Sequence, residues 1–281
     1  MNLVHLLLRN ARQMPERPAL AVGERAVENY FDLAKKVLSL SSGLTSKFTL
    51  KPGERVALAM KNCPEYWEVL FACWHAGLTA VPMNAKLHPK EFGYILGDSG
   101  AKVCFLTPGI ECFFGNSVLI DSTEYKNLKA EPQKPAETKT DDPAWLFYTS
   151  GTTGVPKGAI LTHRNLLFAT QAYFSDIDKL GPGDAILHPA PLSHGSGLYG
   201  LPHFAAGAVN VIPASGGFDA EEIFDLMDRW PNASFFAAPT MIVRLLVCPA
   251  ARPPEHLKTI TYGGAPMYVA DSLRAIELFG P

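Results

Sequence analysis

An apolar run, Ala144–Phe147, leads directly into a loop rich in glycine and hydroxyl groups, Tyr148–Gly158. This loop holds four serine or threonine hydroxyls, three glycines and one lysine. Glycines let backbone N–H groups turn toward a ligand, hydroxyls and N–H groups donate to phosphate oxygens, and a lysine supplies positive charge. A strand that ends in such a loop predicts a phosphate-binding site.

The spacing of this loop differs from that of the two common nucleotide-binding loops. The P-loop pattern would place a glycine at Pro156, counted from Gly151, and a serine or threonine at Gly158. The dinucleotide pattern G-x-G-x-x-G is not matched either. A surface turn without a ligand is the alternative interpretation, because serine, threonine and glycine are frequent in turns.

The loop resembles the signature of the AMP-forming acyl-CoA synthetase superfamily, which also contains luciferases and peptide-synthetase adenylation domains. Two further segments resemble that superfamily in the expected order. Pro191–Gly197 is similar to its Pro-Leu-x-His-x-x-Gly segment, and Tyr262–Met267 is similar to its glycine-rich adenine-binding turn. The start of the chain, including Pro52–Ala57, is also similar, so the resemblance covers essentially the whole chain.

The composition is typical of a soluble globular protein, with 47% hydrophobic and 19% charged residues. A formal net charge of −2 argues against nucleic acid as a partner, because no basic stripe is available to neutralise phosphates. The start of the chain lacks the pattern of a signal peptide, and no run approaches the ~20 apolar residues of a membrane span. These features predict a cytoplasmic protein.

The cysteines favour the same compartment. They are five in number and widely spaced, which favours reduced thiols over a disulfide framework: Cys63, Cys73, Cys104, Cys112 and Cys248. No Cys-x-x-Cys or His-x-x-x-His pair suggests a zinc site, so we expect no metal centre built by the protein.

Short apolar runs alternate with amphipathic stretches along most of the chain. Strands are predicted at 55–60, 79–82, 102–106, 208–212, 234–237 and 259–262, and helices at 64–75, 88–96, 162–173, 220–230, 239–247 and 267–279. This alternation predicts an α/β fold with largely parallel sheets. Two such halves with glycine loops at strand ends predict a ligand site in the crevice between them.

The resemblance implies a more specific architecture. Two helix-covered, largely parallel sheets pack together in the large N-terminal domain of adenylate-forming enzymes, and we expect that fold here. Residues 1–125 are predicted to form a first α/β subdomain, and residues 144–281 a second one that carries the nucleotide and acid motifs. The charged, proline-rich stretch 126–143 is predicted to be an exposed connector.

The resemblance also implies an activity, which is activation of a carboxylic acid with ATP and transfer of the acyl group to CoA. The nucleotide would be bound by two sets of residues: Thr149, Ser150, Gly151, Thr152, Thr153, Gly154 and Lys157 at the phosphates, and Gly263, Gly264, Ala265 and Pro266 at the adenine. Lys157 would neutralise charge on the departing pyrophosphate. Mg²⁺ is implied by the nucleotide and would be held mainly by phosphates and water.

The acid is expected to meet the nucleotide at His194, the second predicted catalytic residue beside Lys157. The acid pocket is predicted to contain Tyr199, Gly200, Phe236 and Met241. Adenylation domains that take amino acids usually carry an aspartate near the segment that matches 235–238, and none is present here. The resemblance therefore favours a fatty or aryl carboxylate. His163, His188 and His203 are predicted to be structural.

Several family segments have no counterpart in this sequence. The metal-binding glutamate, the ribose-binding aspartate, the hinge and the C-terminal lysine that completes adenylation are not matched, so we expect a truncated N-terminal domain that is inactive alone. Two alternatives stay open, an acyl-AMP ligase that loads a carrier protein and a non-catalytic nucleotide-binding or interaction module.

Overall fold

The computed structural model describes residues 1–149 and 156–281. Its described elements form two compact units, Met1–Glu16 with Tyr30–Gln171, and Arg17–Asn29 with Ala172–Pro281. In chain order the elements are α1 (His5–Gln13), β1 (Pro18–Val22), β2 (Arg25–Asn29), α2 (Tyr30–Phe48), β3 (Arg55–Met60), α3 (Pro64–His75), β4 (Thr79–Asn84), α4 (Pro89–Ser99), β5 (Val103–Leu106), β6 (Ser117–Leu119), α5 (Thr123–Lys126), β7 (Pro143–Thr149), β8 (Lys157–Thr162), α6 (His163–Asp176), β9 (Ala185–Leu187), α7 (Gly195–Ala206), β10 (Val209–Ile212), α8 (Ala220–Arg229), β11 (Ala233–Ala237), α9 (Pro239–Leu246), β12 (Leu257–Tyr262) and α10 (Val269–Phe279).

The first unit is built on a six-stranded sheet in the order β6-β5-β3-β4-β7-β8. All neighbours are parallel except β7 and β8, which form an antiparallel hairpin at one edge. The central strands β3 and β4 are apolar and buried along almost their whole length. This is the pattern of parallel strands that are covered on both faces.

Local chemistry determines where the helices of this unit begin and end. Pro64 opens α3, where the missing N–H of a proline costs nothing. The His88 ring accepts a hydrogen bond from the Lys90 N–H, and the Glu91 side chain accepts one from the His88 N–H, which together cap α4. Gly100 ends α4 in the left-handed conformation, with a φ of 60°.

The predicted connector 126–143 is held against the first unit by backbone hydrogen bonds. The Gln133 N–H donates to Ser42 Oγ of α2, and the Ala136 N–H donates to the His75 carbonyl at the end of α3. A Cβ at Gly43 would lie 2.6 Å from the Leu128 backbone, so α2 and this segment approach closely because residue 43 is glycine. The side chains of this segment are mostly exposed, whereas its backbone is hydrogen-bonded to α2 and to the end of α3.

The second unit is built on another six-stranded sheet, in the order β12-β11-β9-β10-β1-β2. Its pairings are parallel except for the hairpin of β1 and β2. Gly23 turns that hairpin with a φ of +56°, and its carbonyl accepts a hydrogen bond from Trp230 Nε1 at 2.9 Å. One face of this sheet packs against α8 and α9 through a cluster that includes Phe224, Met227 and Phe235.

These observations confirm the predicted fold class of two helix-covered, largely parallel sheets. They differ from the prediction around residue 144, because β7 and β8 complete the sheet of the first unit instead of opening the second. The antiparallel strand β8 stands where the sequence predicted only a loop before the helix. The prediction missed β8 because most of its side chains are exposed and its residues do not alternate between apolar and polar.

Candidate functional site

Thr149 and Lys157 lie opposite each other at the end of the β7–β8 hairpin. Their Cα atoms are partners in the antiparallel register, and both residues are exposed. A hydroxyl and an ammonium group are therefore accessible at the two ends of the intervening loop. The predicted phosphate-binding residues between them lie outside the described residues: Ser150, Gly151, Thr152, Thr153 and Gly154.

The last glycine of this motif has a packing function. Tyr148 and Gly158 are cross-strand partners, and a Cβ at Gly158 would lie 2.8 Å from the tyrosine ring. The Tyr148 hydroxyl donates a hydrogen bond to Asp98 Oδ2 at 2.6 Å. Burial, with Asp98 beside it, raises the pKa of Tyr148, so the phenol stays protonated as a donor. Gly158 thus allows Tyr148 to fix the strand that leads into the loop.

The segments predicted to bind the acid and the adenine lie at one edge of the second sheet. Strands β9, β11 and β12 are parallel, so the segments that follow them emerge at the same edge. The segments after β9 and β12 contain Pro191–Gly197 and the turn at Gly263–Gly264, and Phe236 lies within β11, one residue from its end. The Gly263 N–H donates to the Ala237 carbonyl at 3.2 Å, which joins the turn to the end of β11. Gly264 has a φ of +86°, which favours glycine.

The ring of Phe236 contacts both motifs. A Cβ on Gly195 would lie 2.7 Å from this ring, and a Cβ on Gly263 would lie 3.6 Å from it. Side chains alternate across a strand, so Phe235 enters the core while Phe236 projects from the other face. Two motifs that are far apart in sequence are therefore joined through one partly buried aromatic ring.

Tyr199 completes an aromatic wall with Phe236. The two rings stack with centroids 5.4 Å apart and an interplanar angle of 22°. Tyr173, which the sequence did not single out, packs edge-on against Tyr199 with centroids 5.7 Å apart. It is buried, and it also contacts the His203 ring. Only the spacing of α6 could have indicated Tyr173, and that spacing predicts core packing equally well.

His194 caps the start of α7 and is half-buried. Its carbonyl accepts hydrogen bonds from the Gly197 and Leu198 N–H groups, and its Nδ1 lies 2.9 Å from Ser193 Oγ. Burial lowers the pKa of His194. The imidazole is therefore neutral near pH 7, so that one ring nitrogen can donate and the other can accept.

The remaining predicted residues occupy different surroundings. Gly200 is buried within α7, one residue after Tyr199, and Ala265 and Pro266 are exposed after the glycine turn. Met241 packs against the core cluster that contains Phe235, and its sulfur accepts a hydrogen bond from the Ala238 N–H at 3.4 Å. The contacts described for Met241 are thus with the core and the start of α9.

The three histidines predicted to be structural are all buried in hydrogen-bonded positions. His188 Nδ1 lies 2.8 Å from Ser196 Oγ and its Nε2 lies 3.0 Å from Asn210 Oδ1. His203 Nδ1 donates to the Tyr199 carbonyl, and the Leu3 N–H donates to His163 Nδ1. Burial lowers the pKa of His188 to about 3 and those of His163 and His203 to about 4.

Comparison with known proteins identifies the family. The model of the family described as "AMP-binding enzyme" matches residues 7–281 of the chain. The chain belongs to the AMP-binding enzyme family. This confirms the resemblance on which the sequence interpretation depends.

Relatives within the AMP-binding enzymes differ in substrate. The chain is 33% identical over 271 residues to a feruloyl-CoA synthase of Amycolatopsis, with 92% of this chain and 54% of that protein covered. It is 31% identical to the fatty acid–[acyl-carrier-protein] ligase ScoC of Streptomyces coeruleorubidus, with 92% and 52% covered. The chain therefore spans about half the length of these curated relatives.

A solved structure supports the fold assignment. The o-succinylbenzoate CoA synthetase of Bacillus subtilis, in complex with its acyl-adenylate intermediate, superimposes with a TM-score of 0.86 at 26% identity. The match covers 98% of this chain and 56% of that chain.

Two features are absent from the described residues. In residues 1–149 and 156–281 no helix is long and apolar enough to cross a membrane. Within the same ranges, no three His, Cys, Asp or Glu side chains are grouped in a way that could hold a metal ion.

Proposed function

We propose that the protein to which this chain belongs is an AMP-forming carboxylic acid:CoA ligase. A carboxylate attacks the α-phosphate of ATP to give acyl-AMP and pyrophosphate. The CoA thiol then attacks the acyl carbon, and AMP leaves with transfer of the thiol proton to solvent or a base. The 281-residue chain is proposed to bind nucleotide and acid without completing the reaction.

The contact of Phe236 with both motifs carries this proposal. An acyl-adenylate joins an acid to a nucleotide through one phosphate, so its binding site must hold both parts within a few ångströms. Phe236 touches Gly195, next to His194, and the turn at Gly263. This arrangement fits a ligand whose acid end lies at His194 and whose adenine lies along the glycine turn.

Each proposed binding residue supplies chemistry that suits its part of the ligand. The Lys157 ammonium and the Thr149 hydroxyl would bind the phosphates, and Lys157 would balance charge on the leaving pyrophosphate. Neutral His194 would donate a hydrogen bond to a carboxylate or acyl oxygen. Gly263 and Gly264 expose backbone against which an adenine ring can lie, with Ala265 and Pro266 as its apolar border.

The aromatic wall favours a fatty or aryl acid. Tyr199 and Phe236 present stacked rings, and the segment 234–238 contains no carboxylate that could hold an ammonium group. An aryl ring would gain an edge or face contact with this pair, worth about 0.5–1.5 kcal/mol beyond burial. The feruloyl-CoA synthase among the relatives supports an aryl carboxylate.

The donor set of the Thr149–Lys157 hairpin fits phosphate rather than a metal ion. It offers hydroxyl, N–H and ammonium groups but no carboxylate. Mg²⁺ would therefore accompany ATP as its phosphate complex, where it would neutralise phosphate charge.

Calorimetry with a non-hydrolysable aryl sulfamoyl-adenosine tests nucleotide and acid binding directly. We expect saturable binding of the analogue by the 281-residue chain and at least about tenfold weaker binding by His194→Ala, about 1.4 kcal/mol. Lys157→Ala, which removes the ammonium proposed to bind the pyrophosphate, should bind the analogue as the wild type does and should bind ATP at least about tenfold more weakly. Lys102→Ala removes an exposed lysine outside the motifs and serves as the matched control. Equal affinity for all four proteins, or no binding by any, would contradict the proposal, and the second outcome would favour a non-catalytic module.

A carrier protein is the alternative acceptor, and the acyl-carrier-protein ligase among the relatives favours it. Pyrophosphate release by the full-length protein, across fatty, aryl and dicarboxylic acids, identifies the acid. Supplying CoA or a phosphopantetheinylated carrier protein in the second step identifies the acceptor. Thioester formed only on the carrier would replace the CoA ligase by an acyl-AMP ligase.

A further inference from the structure

The first turn of α7 is supported by two neighbouring side chains of the second sheet. Strands β9 and β11 pair in parallel register, so His188, directly after β9, and Phe236 in β11 project from the same face. Phe236 packs against Gly195, and His188 Nδ1 lies 2.8 Å from Ser196 Oγ. Both contacts are made to residues that directly follow His194. They therefore fix the start of the helix at the segment predicted to bind the acid.

The His188 ring also connects this turn to β10. Its Nε2 lies 3.0 Å from Asn210 Oδ1, and the side chains of His188, Ser196 and Asn210 are fully buried. Burial lowers the pKa of His188, so the imidazole is neutral and carries one ring proton. An amide oxygen can only accept, which places that proton on Nε2 and makes Nδ1 the acceptor for the Ser196 hydroxyl. The three side chains form a directed chain of hydrogen bonds from the first turn of α7 to the sheet.

Asn210 is a polar side chain between two apolar neighbours of the sheet. Its register partners are Leu20 on β1 and Ile186 on β9. Its Nδ2 group has no hydrogen-bond partner among the described residues, and an unpaired buried donor is costly. An apolar side chain would pack at this position without that cost. The contact with His188 therefore accounts for the amide.

We propose that His188 is a positioning residue for the acid end of the ligand, and that it fixes His194 through Ser196. The His194 carbonyl accepts hydrogen bonds from the Gly197 and Leu198 N–H groups, so His194 belongs to the same helical turn as Ser196. Holding this turn keeps the His194 ring in place, and a small misplacement of a group that orients a ligand is costly. His188 is fully buried, so it acts through Ser196 and not by touching the ligand. This role rests on the proposed function, in which His194 meets the acid.

Two ligands separate this role from a general effect on the fold. AMP occupies the nucleotide part of the site, whereas an aryl sulfamoyl-adenosine also occupies the acid part. Ser196→Ala and His188→Gln should bind the sulfamoyl analogue at least about fivefold more weakly by calorimetry, and should bind AMP as the wild type does. Ser196→Ala removes only a hydroxyl group, so it gives the answer if His188→Gln does not fold. Urea unfolding establishes that each variant is folded under the conditions of the titration.

His163→Gln is the matched control for the histidine substitution. It replaces another buried, neutral histidine, in the first unit, and should bind both ligands as the wild type does. The double variant with Ser196→Ala and His188→Gln should bind the analogue no more weakly than either single variant, because both changes break one contact. Nitrogen NMR of the His188 ring should show the Nε2–H tautomer in the wild type and a gain of the Nδ1–H tautomer in Asn210→Leu.

The outcomes distinguish the positioning role from the proposed function. If the wild type binds the analogue and Ser196→Ala and His188→Gln bind it equally well, the positioning role is wrong and the proposed function stands. Equal losses of affinity for AMP and for the analogue would also overturn the role, because the contact would then support the fold alone. Absence of analogue binding by the wild type would contradict the proposed function, and the positioning role with it.

Discussion

The contact between Gly195 and Phe236 allows almost no added volume. A methyl group at residue 195 would lie 2.7–3.0 Å from three ring atoms, so the ring must move. Gly195→Ala is therefore expected to displace Phe236 from Tyr199 and to weaken acyl-adenylate binding by about tenfold or more, with a stability cost of about 1–3 kcal/mol. Analogue calorimetry and urea unfolding measure the two effects.

Gly93→Ala is the matched control for this substitution. Gly93 also lies in a helix, α4, but a Cβ there meets no atom within 4 Å. We expect that change to stabilise the protein by up to about 1 kcal/mol, because alanine is the better helix former. If both alanine variants bind the analogue as the wild type does, Phe236 is not positioned by Gly195.

Buried neutral histidines should make the protein sensitive to acid. Burial lowers the pKa of His188 to about 3 and that of His203 to about 4, from an ordinary value of 6.5. Below pH 6.5 the unfolded chain binds protons that the folded chain does not, so the free energy of unfolding falls with decreasing pH. Each such histidine contributes a slope of about 1.4 kcal/mol per pH unit near pH 5.

Unfolding of His188→Gln across pH 4–7 checks this slope. Glutamine keeps a polar side chain but takes up no proton, so the variant should lose the slope that one histidine contributes. His256→Gln removes an exposed histidine of the same unit and serves as the control for the substitution itself. Identical slopes in wild type and His188→Gln would show that His188 is protonated in the folded protein.

At the scale of elements, the sequence predicted helices and strands with a clear hydrophobic period, but it did not predict which strands pair with each other. Strand β3 and helix α3 begin and end at the predicted residues. The short apolar run of β3 favours a buried strand, and the amphipathic stretch of α3 that begins with a proline favours a helix. Helix α6 begins after Thr162, whose hydroxyl accepts from the Asn165 N–H, as the cap residue predicted. Strands β2 and β8 were not predicted, because exposed edge strands carry little hydrophobic signal.

The candidate site shows the same division. The sequence indicated His194, Phe236 and Gly263 separately, through motif resemblance, whereas their contact depends on strand register that no local pattern records. Tyr173 and Asp98 were missed because neither belongs to a motif, and a single tyrosine or aspartate in a helix gives no sign of its partner. Glycines were the most informative residues, since Gly158 and Gly195 each mark a place where an aromatic ring crosses the backbone.

The segment 126–143 yields a prediction about an element rather than a residue. Gly43→Ala would place a methyl group 2.6–2.9 Å from the Leu128 and Lys129 backbone, which has no flexible end to move aside. We expect this segment to detach from α2 and to become sensitive to trypsin at Lys129. Gly97→Ala, in open space on α4, is the control and should be cleaved as slowly as the wild type. Equal cleavage of the three proteins would show that the segment is not held at Gly43.

At the scale of the whole molecule, binding and catalysis are expected to separate. The described residues include the hairpin ends, the acid motif and the glycine turn, while the chain spans 54% of the feruloyl-CoA synthase and 52% of the carrier-protein ligase. Preorganised cations at the reacting phosphate supply most of the catalysis in such a step. Family segments that would add a metal-binding carboxylate and a second lysine have no match in this sequence.

We therefore expect the 281-residue chain to bind an acyl-adenylate analogue yet to show no acid-dependent ATP–pyrophosphate exchange above background. The loss should appear in turnover rather than in affinity, because binding needs only the groups present whereas the transition state needs every cation around the α-phosphate. Isotope exchange with labelled pyrophosphate measures turnover. The assay contains no analogue and uses a protein concentration at which the analogue is fully bound in the calorimetry. Lys157→Ala gives the background, since it removes the one cation that the motif supplies. Exchange by the wild-type chain that depends on acid and disappears in Lys157→Ala would show that this half-length chain already contains a complete adenylation site.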